Sequence, residues 1–107
     1  HLYYSDAADG VDIYGLPFDP FLYVDISAAI DTKERMLACH ESQREWLLAH
    51  HGMDEHTESV KRMAEQRGHE IGVDYAEGFR QHLGHGYPQD NLLKAALGGL
   101  LTDRKEQ

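Results

Sequence analysis

The chain has 107 residues, enough for one domain, or a piece of one, with a single modest core. Its 19 acidic residues outweigh 10 basic ones for a formal charge of −9, and no Lys/Arg cluster stands out, which argues against nucleic acid and anionic membranes as partners. No apolar run approaches the roughly 20 residues of a membrane helix, and the single cysteine, Cys39, has no internal partner, so a reducing, cytoplasmic compartment is expected.

The chain opens at His1 with neither an initiator Met nor a signal peptide, as a domain cut from a longer protein would. Residues 1–26 read as strands and loops. Leu2-Tyr3-Tyr4-Ser5 is a β-prone run. Val11 to Tyr14 alternates apolar and polar and fits either a strand or part of a long loop. Pro17 and Pro20 lack ladder donors, so the stretch around them is not a central strand. Phe21 to Ile26 is rich in aromatic and β-branched residues and reads as a strand.

Ser27 can cap a helix over 27–49, with Asp31 placed where the helix dipole favours negative charge. Ile30, Met36, Leu37, His40, Glu41, Leu47 and Leu48 are distributed over its inward side, and Cys39 reads as a small buried residue. Glu34, Glu41 and Glu45 read as a solvated face paired with Lys33, Arg35 and Arg44. Gly52 suits a left-handed turn past the helix end. Thr57 then caps a second helix over 57–83, about 27 residues and roughly 40 Å long. Val60, Met63, Ala64, Gly68, Ile71, Gly72, Tyr75, Ala76 and Phe79 fall on one stripe at steps of three and four. Gly68 and Gly72 are expected to lie against a neighbouring element at short range. Asp90 or Asn91 can cap a short helix over 91–101, and 102–107 reads as a charged, frayed tail. The fold class expected is α/β or α+β.

Eight histidines raise the question of a metal. Zinc needs three or four ligands converging on one point, whereas His50, His51 and His56 match no zinc spacing and read as exposed loop residues. His82 and His85 are separated by Gly84, which breaks helical geometry between them, and His69 reads as solvated. Cys39 and His40 are helix neighbours pointing about 100° apart, so they are not a catalytic dyad.

Three segments, in order, resemble the C-terminal half of the LmbE-like deacetylases, relatives of the GlcNAc-phosphatidylinositol de-N-acetylases (PIG-L). They are Tyr23-Val24-Asp25-Ile26-Ser27, the patch His40-Glu41-Ser42-Gln43, and Arg67-Gly68 followed by Gly72-Val73-Asp74-Tyr75-Ala76-Glu77-Gly78-Phe79. The resemblance covers most of residues 2–80. It implies the C-terminal part of a Rossmann-like domain of a zinc-dependent hydrolase that removes N-acetyl groups from aminosugars or similar amides. It further implies substrate contact through His40 and Gln43, and oligomer contacts, with a homo-oligomer expected. The family's His-Pro-Asp-Asp motif is absent, so no zinc ligand and no catalytic residue is carried over. This chain is expected to bind no zinc, to act as support and pocket wall, and to be inactive alone. Arg67 and Glu77 are expected to brace neighbouring elements. The alternative is a non-enzymatic helical interaction domain.

Overall fold

A computed structural model describes residues 1–7, 10–39 and 53–106. In chain order the elements are β1 (Tyr3–Ser5), β2 (Leu22–Asp25), α1 (Ile30–Ala38), α2 (Met53–Ile71), β3 (Ala76–Gln81), α3 (Leu92–Leu97) and β4 (Leu101–Asp103). The fold is therefore mixed α/β. Among the described residues the strands form one sheet in the order β1-β3-β2-β4, and every pairing is antiparallel. The register sets Tyr3 opposite Gln81, Leu22 opposite Phe79, Tyr23 opposite Gly78, and Val24 opposite Leu101.

The core lies where α2 crosses β3. Leu22 and Tyr23 are sealed, with Phe18, Ile30, Ala64, Ala76 and Leu101 buried around them. Removing a side chain of the size of Leu22 or Tyr23 from water contributes about 2 kcal/mol. The Tyr23 hydroxyl keeps a polar partner, accepting a hydrogen bond from Arg104 Nη1 at 3.0 Å.

The helix expected over 57–83 is two elements. It starts at Met53, so Thr57 lies inside it rather than capping it, and it stops at Ile71. Gly72 sits at φ +79°. Its N–H donates to the His69 carbonyl at 3.3 Å, and the Val73 N–H donates to the Gly68 carbonyl at 2.9 Å. Those two bonds are the paired closure of a Schellman turn, which needs a glycine where φ is positive. The chain then reverses, and Ala76 to Gln81 becomes a strand at the centre of the sheet. The expected packing role of Gly72 is also corrected, because a Cβ there would meet nothing within 4 Å. Gly68 does lie against a neighbour, the returning backbone itself: a Cβ would fall 2.6 Å from the Val73 carbonyl oxygen.

Other expectations change for local reasons. A single turn of 3-10 helix over Ser27–Ala29 precedes α1, and Ser27 does not cap it. Its Oγ instead accepts from the Tyr75 N–H at 3.1 Å and donates to the Tyr75 carbonyl at 3.3 Å, tying β2 to the chain entering β3. Cys39 is exposed rather than buried, and Met36 points outward. Glu34 pairs with Lys61, and Lys33 with Glu77, so these charges join elements instead of lacing one helix face. The rest of the first expected helix, together with His40, Glu41, Gln43, Arg44, Glu45, His50, His51 and Gly52, lies outside the described residues, as does the side chain of His56.

At the C-terminus Asn91 is the cap, its Oδ1 accepting from the Lys94 N–H at 3.2 Å. The helix ends at Leu97 rather than Leu101, because Gly98 takes φ +55°. Leu101, Thr102 and Asp103 then pair with β2, where the end of the helix and the start of a frayed tail were expected. No helix among the described residues is long and apolar enough to cross a membrane.

Candidate functional site

A cleft of about 270 Å³ opens between α2, the end of β1, α1 and β3. Its apolar lining comes from Val60, Met63 and Ala64 of α2 and from Ala76 and Phe79 of β3. Its polar lining is Ser5, Asp6, Lys33, Ser59 and Glu77. Gly78 leaves room for this arrangement, since a Cβ there would come within 2.8 Å of both Asp6 Oδ2 and Pro20 Cγ.

Arg67 organises the floor. Its Nε donates to Asp6 Oδ2 at 2.8 Å and its Nη2 to Asp6 Oδ1 at 3.0 Å, a side-on two-point pair. Nη2 also reaches the Phe18 carbonyl at 3.1 Å, and Nη1 meets both oxygens of Glu70 at 3.1 Å. One side chain thus joins α2, the end of β1 and the loop before β2. Both partners are largely buried, with Arg67 12% and Asp6 10% exposed. Burial works against the Arg67 charge, but its bonds to Asp6 and Glu70 outweigh that and hold its pKa above the ordinary arginine value.

At the rim Lys33 Nζ lies 2.9 Å from Glu77 Oε1. The expected bracing roles of Arg67 and Glu77 therefore have named partners, Asp6 with Phe18 in one case and Lys33 in the other. The geometry limits the chemistry on offer. Asp6 has both oxygens engaged by a guanidinium, and Glu77 faces an ammonium, so neither is placed to take a proton from a substrate. The cleft can line and shape a bound molecule.

Several candidates from the sequence do not come together here. His69 is exposed, as expected. His82 follows β3 and points its Nδ1 at the Tyr4 hydroxyl, 2.8 Å away, with the Tyr87 ring packed edge-on at 4.2 Å between centroids. His85 is exposed beyond Gly84, and the pair forms no ligand set. Among the described residues no group of three or more His, Cys, Asp or Glu side chains is placed to hold a metal ion, so they do not fit the zinc of the resembled family. His40 and Gln43 lie outside the described residues. Asp6 was missed in the sequence because an aspartate 61 positions from its arginine carries no spacing signal. No protein-family model matches this chain, and no curated protein or solved structure matches it either.

Proposed function

We propose that this chain is a C-terminal segment of an LmbE-like, zinc-dependent N-deacetylase acting on N-acetylated aminosugars or similar amides, and that it serves there as brace and pocket wall. The supporting observation is that the string carrying the resemblance, Arg67 to Phe79, works as one structural unit. Arg67 ties three elements, Gly68 and Gly72 make the reversal, Tyr75 is fixed by Ser27, and Glu77 pairs across the cleft. Such a unit holds a wall in place and leaves the chemistry to groups elsewhere. In this reading the antiparallel strands extend a Rossmann-like parallel sheet, a mixture that large α/β sheets commonly carry. His40 and Gln43 contact substrate, zinc is held by another part of the polypeptide, the enzyme is cytoplasmic, and copies associate through apolar surface such as Leu92 and Leu100.

The test is zinc-dependent release of acetate from an N-acetylglucosamine conjugate by the product of the complete gene, beside the 107 residues alone. The reading expects turnover from the former and none from the latter. A complete product without turnover, and with no His-Pro-Asp-Asp upstream of His1, would sink it. One observation favours the rival, a non-enzymatic interaction domain. Ile13, Tyr14 and Leu16 are 91%, 80% and 60% exposed on a loop fixed by Asp12, whose Oδ1 accepts from the N–H groups of Tyr14 and Leu16. An apolar tip held rigid in water is suited to a partner's pocket.

A further inference from the structure

A second groove, of about 460 Å³, runs between the end of β3, α3 and the chain around β4. That volume falls within the range of small-molecule sites, about 300–1,000 Å³, whereas the first cleft falls below it. Its walls are apolar at Leu22, Leu83 and Ala95, and among them stand three side-chain amides, Gln81, Gln89 and Asn91. Gln81 is only 8% exposed, at the last position of the central strand. Burying a polar group there is costly wherever its bonding capacity goes unused. The Gln81 amide nitrogen donates to the Asp90 carbonyl at 2.7 Å and reaches that of Pro88 at 3.4 Å. The carbonyl oxygen of the same amide accepts from no donor among the described residues. No buried side-chain oxygen or nitrogen among the described residues is without a partner, so this oxygen keeps an opening, and the groove is the space that Gln81 lines.

Two neighbours repeat the arrangement. Gln89 uses its nitrogen on the carbonyls of Leu83 and Tyr87, at 3.2 and 2.9 Å, and its oxygen accepts from no donor among the described residues. Asn91 uses its oxygen on the Tyr3 hydroxyl and the Lys94 N–H, which leaves its NH₂ as a donor. Asp103 lines the groove as well; its Oδ1 accepts from the Lys105 N–H, and a carboxylate can accept further bonds. The polar groups facing the space are therefore mostly oxygens, with one amide donor among them. A phosphate or carboxylate brings no proton to those oxygens. A cation would meet the ammonium of Lys105, which lies 4.2 Å from the centre of the Phe21 ring on the same wall. A hydroxyl suits the set, because one oxygen both donates and accepts. Several hydroxyls on one ring serve the separated amides together, and the C–H face of that ring suits the leucine and alanine wall. We infer that this groove binds a neutral cyclic polyol of monosaccharide size. Its hydroxyls donate to the Gln81 and Gln89 carbonyl oxygens and to Asp103, and one of them accepts from the Asn91 NH₂. This binding is independent of the deacetylase reading and survives its failure.

The test is titration of the ¹⁵N-labelled 107-residue chain with D-glucose, D-galactose and myo-inositol, read on the side-chain NH₂ signals of Gln81, Gln89 and Asn91. Cyclohexanol, a ring with a single hydroxyl, and acetamide, a neutral amide, are run beside them. Saturable shifts of all three amide signals are expected with at least one of the polyols, at a midpoint that high salt leaves in place because no ion pair forms. Neither cyclohexanol nor acetamide should match that midpoint. Gln89→Ala should weaken binding about fivefold, the loss of one neutral hydrogen bond. Gln81→Leu should remove saturable binding. Three outcomes overturn the inference: amide signals unmoved by every polyol, cyclohexanol or acetamide binding as tightly as the best of them, or Gln89→Ala binding like the parent chain. Because Gln89 is exposed, its variant decides the matter even if Gln81→Leu does not fold.

Discussion

The two grooves flanking this sheet treat their polar groups in opposite ways. Under α2 the charges are matched inside the protein: Arg67 with Asp6 and Glu70, Lys33 with Glu77. Under α3 the amides of Gln81, Gln89 and Asn91 each have one end tied to the fold and the other end without a partner among the described residues. Closed pairs stabilise and position. Half-engaged amides are oriented but still able to bind. The difference separates a wall from a binding site by hydrogen-bond accounting alone.

The comparison breaks most directly at Arg67. Replacing it by alanine leaves the Asp6 carboxylate largely buried without its cation, and breaking such a pair costs about 3 kcal/mol. For a domain of this size that lowers Tm by more than about 10 °C, read by circular dichroism. Asp6→Ala should cost a similar amount, and the double variant much less than the sum of the two. Strict additivity would mean the pair is not the floor of the cleft.

Two glycines sharpen the account of the turn beside it. Gly68→Ala presses a Cβ to 2.6 Å from a backbone carbonyl, and overpacking of that kind costs about 2 kcal/mol. Gly72→Ala meets open space but holds φ +79°, which costs a side chain about 1 kcal/mol. Urea unfolding should rank them in that order, with Gly72→Asn milder than Gly72→Ala. A reversed ranking would mean that conformation, not contact, dominates at both positions.

That turn also marks how far the sequence was legible. The strands around Tyr3 and Tyr23 announced themselves through aromatic and β-branched runs, and the Asn91 cap through its position before a leucine-rich stretch. The central strand did not. Ile71, Tyr75, Ala76 and Phe79 continue the three-and-four spacing of the preceding helix, so the period stayed helical across a break set by one glycine. The available signal was length: about 27 residues is long for a globular helix, and Gly72 followed by Val73 is a plausible stop. Strand β4 is only Leu101–Asp103, too short to show a period at all. Of the cleft, Arg67 and Glu77 were legible as bracing residues, but Asp6 and Lys33 become their partners only through tertiary pairing. The second groove left no trace in the sequence, because Gln81, Gln89 and Asn91 act through which end of each amide the fold engages.

Across the sheet, Asn91→Ala should cost about 1 kcal/mol, the usual loss of a helix cap. It also removes the acceptor of the Tyr3 O–H, whose oxygen still accepts from the Leu93 N–H at 3.2 Å, so the loss should fall by roughly half in a Tyr3→Phe background when both are followed by thermal unfolding. Independence of the two would separate the cap from the strand it is tied to.

The smallest effect on stability is expected at Lys105. Its ammonium lies 4.2 Å from the centre of the Phe21 ring, and an exposed contact of this kind is worth about 0.5 kcal/mol. The Asp103 Oδ1 bond reaches the Lys105 backbone N–H and survives substitution of the side chain. Lys105→Ala should therefore move Tm by only about 2–4 °C, against the far larger loss at Arg67. A drop approaching that of Arg67→Ala would place Lys105 among the closed, structural charges. The division between a braced groove and an open one would then fail at the residue that most clearly represents the open side.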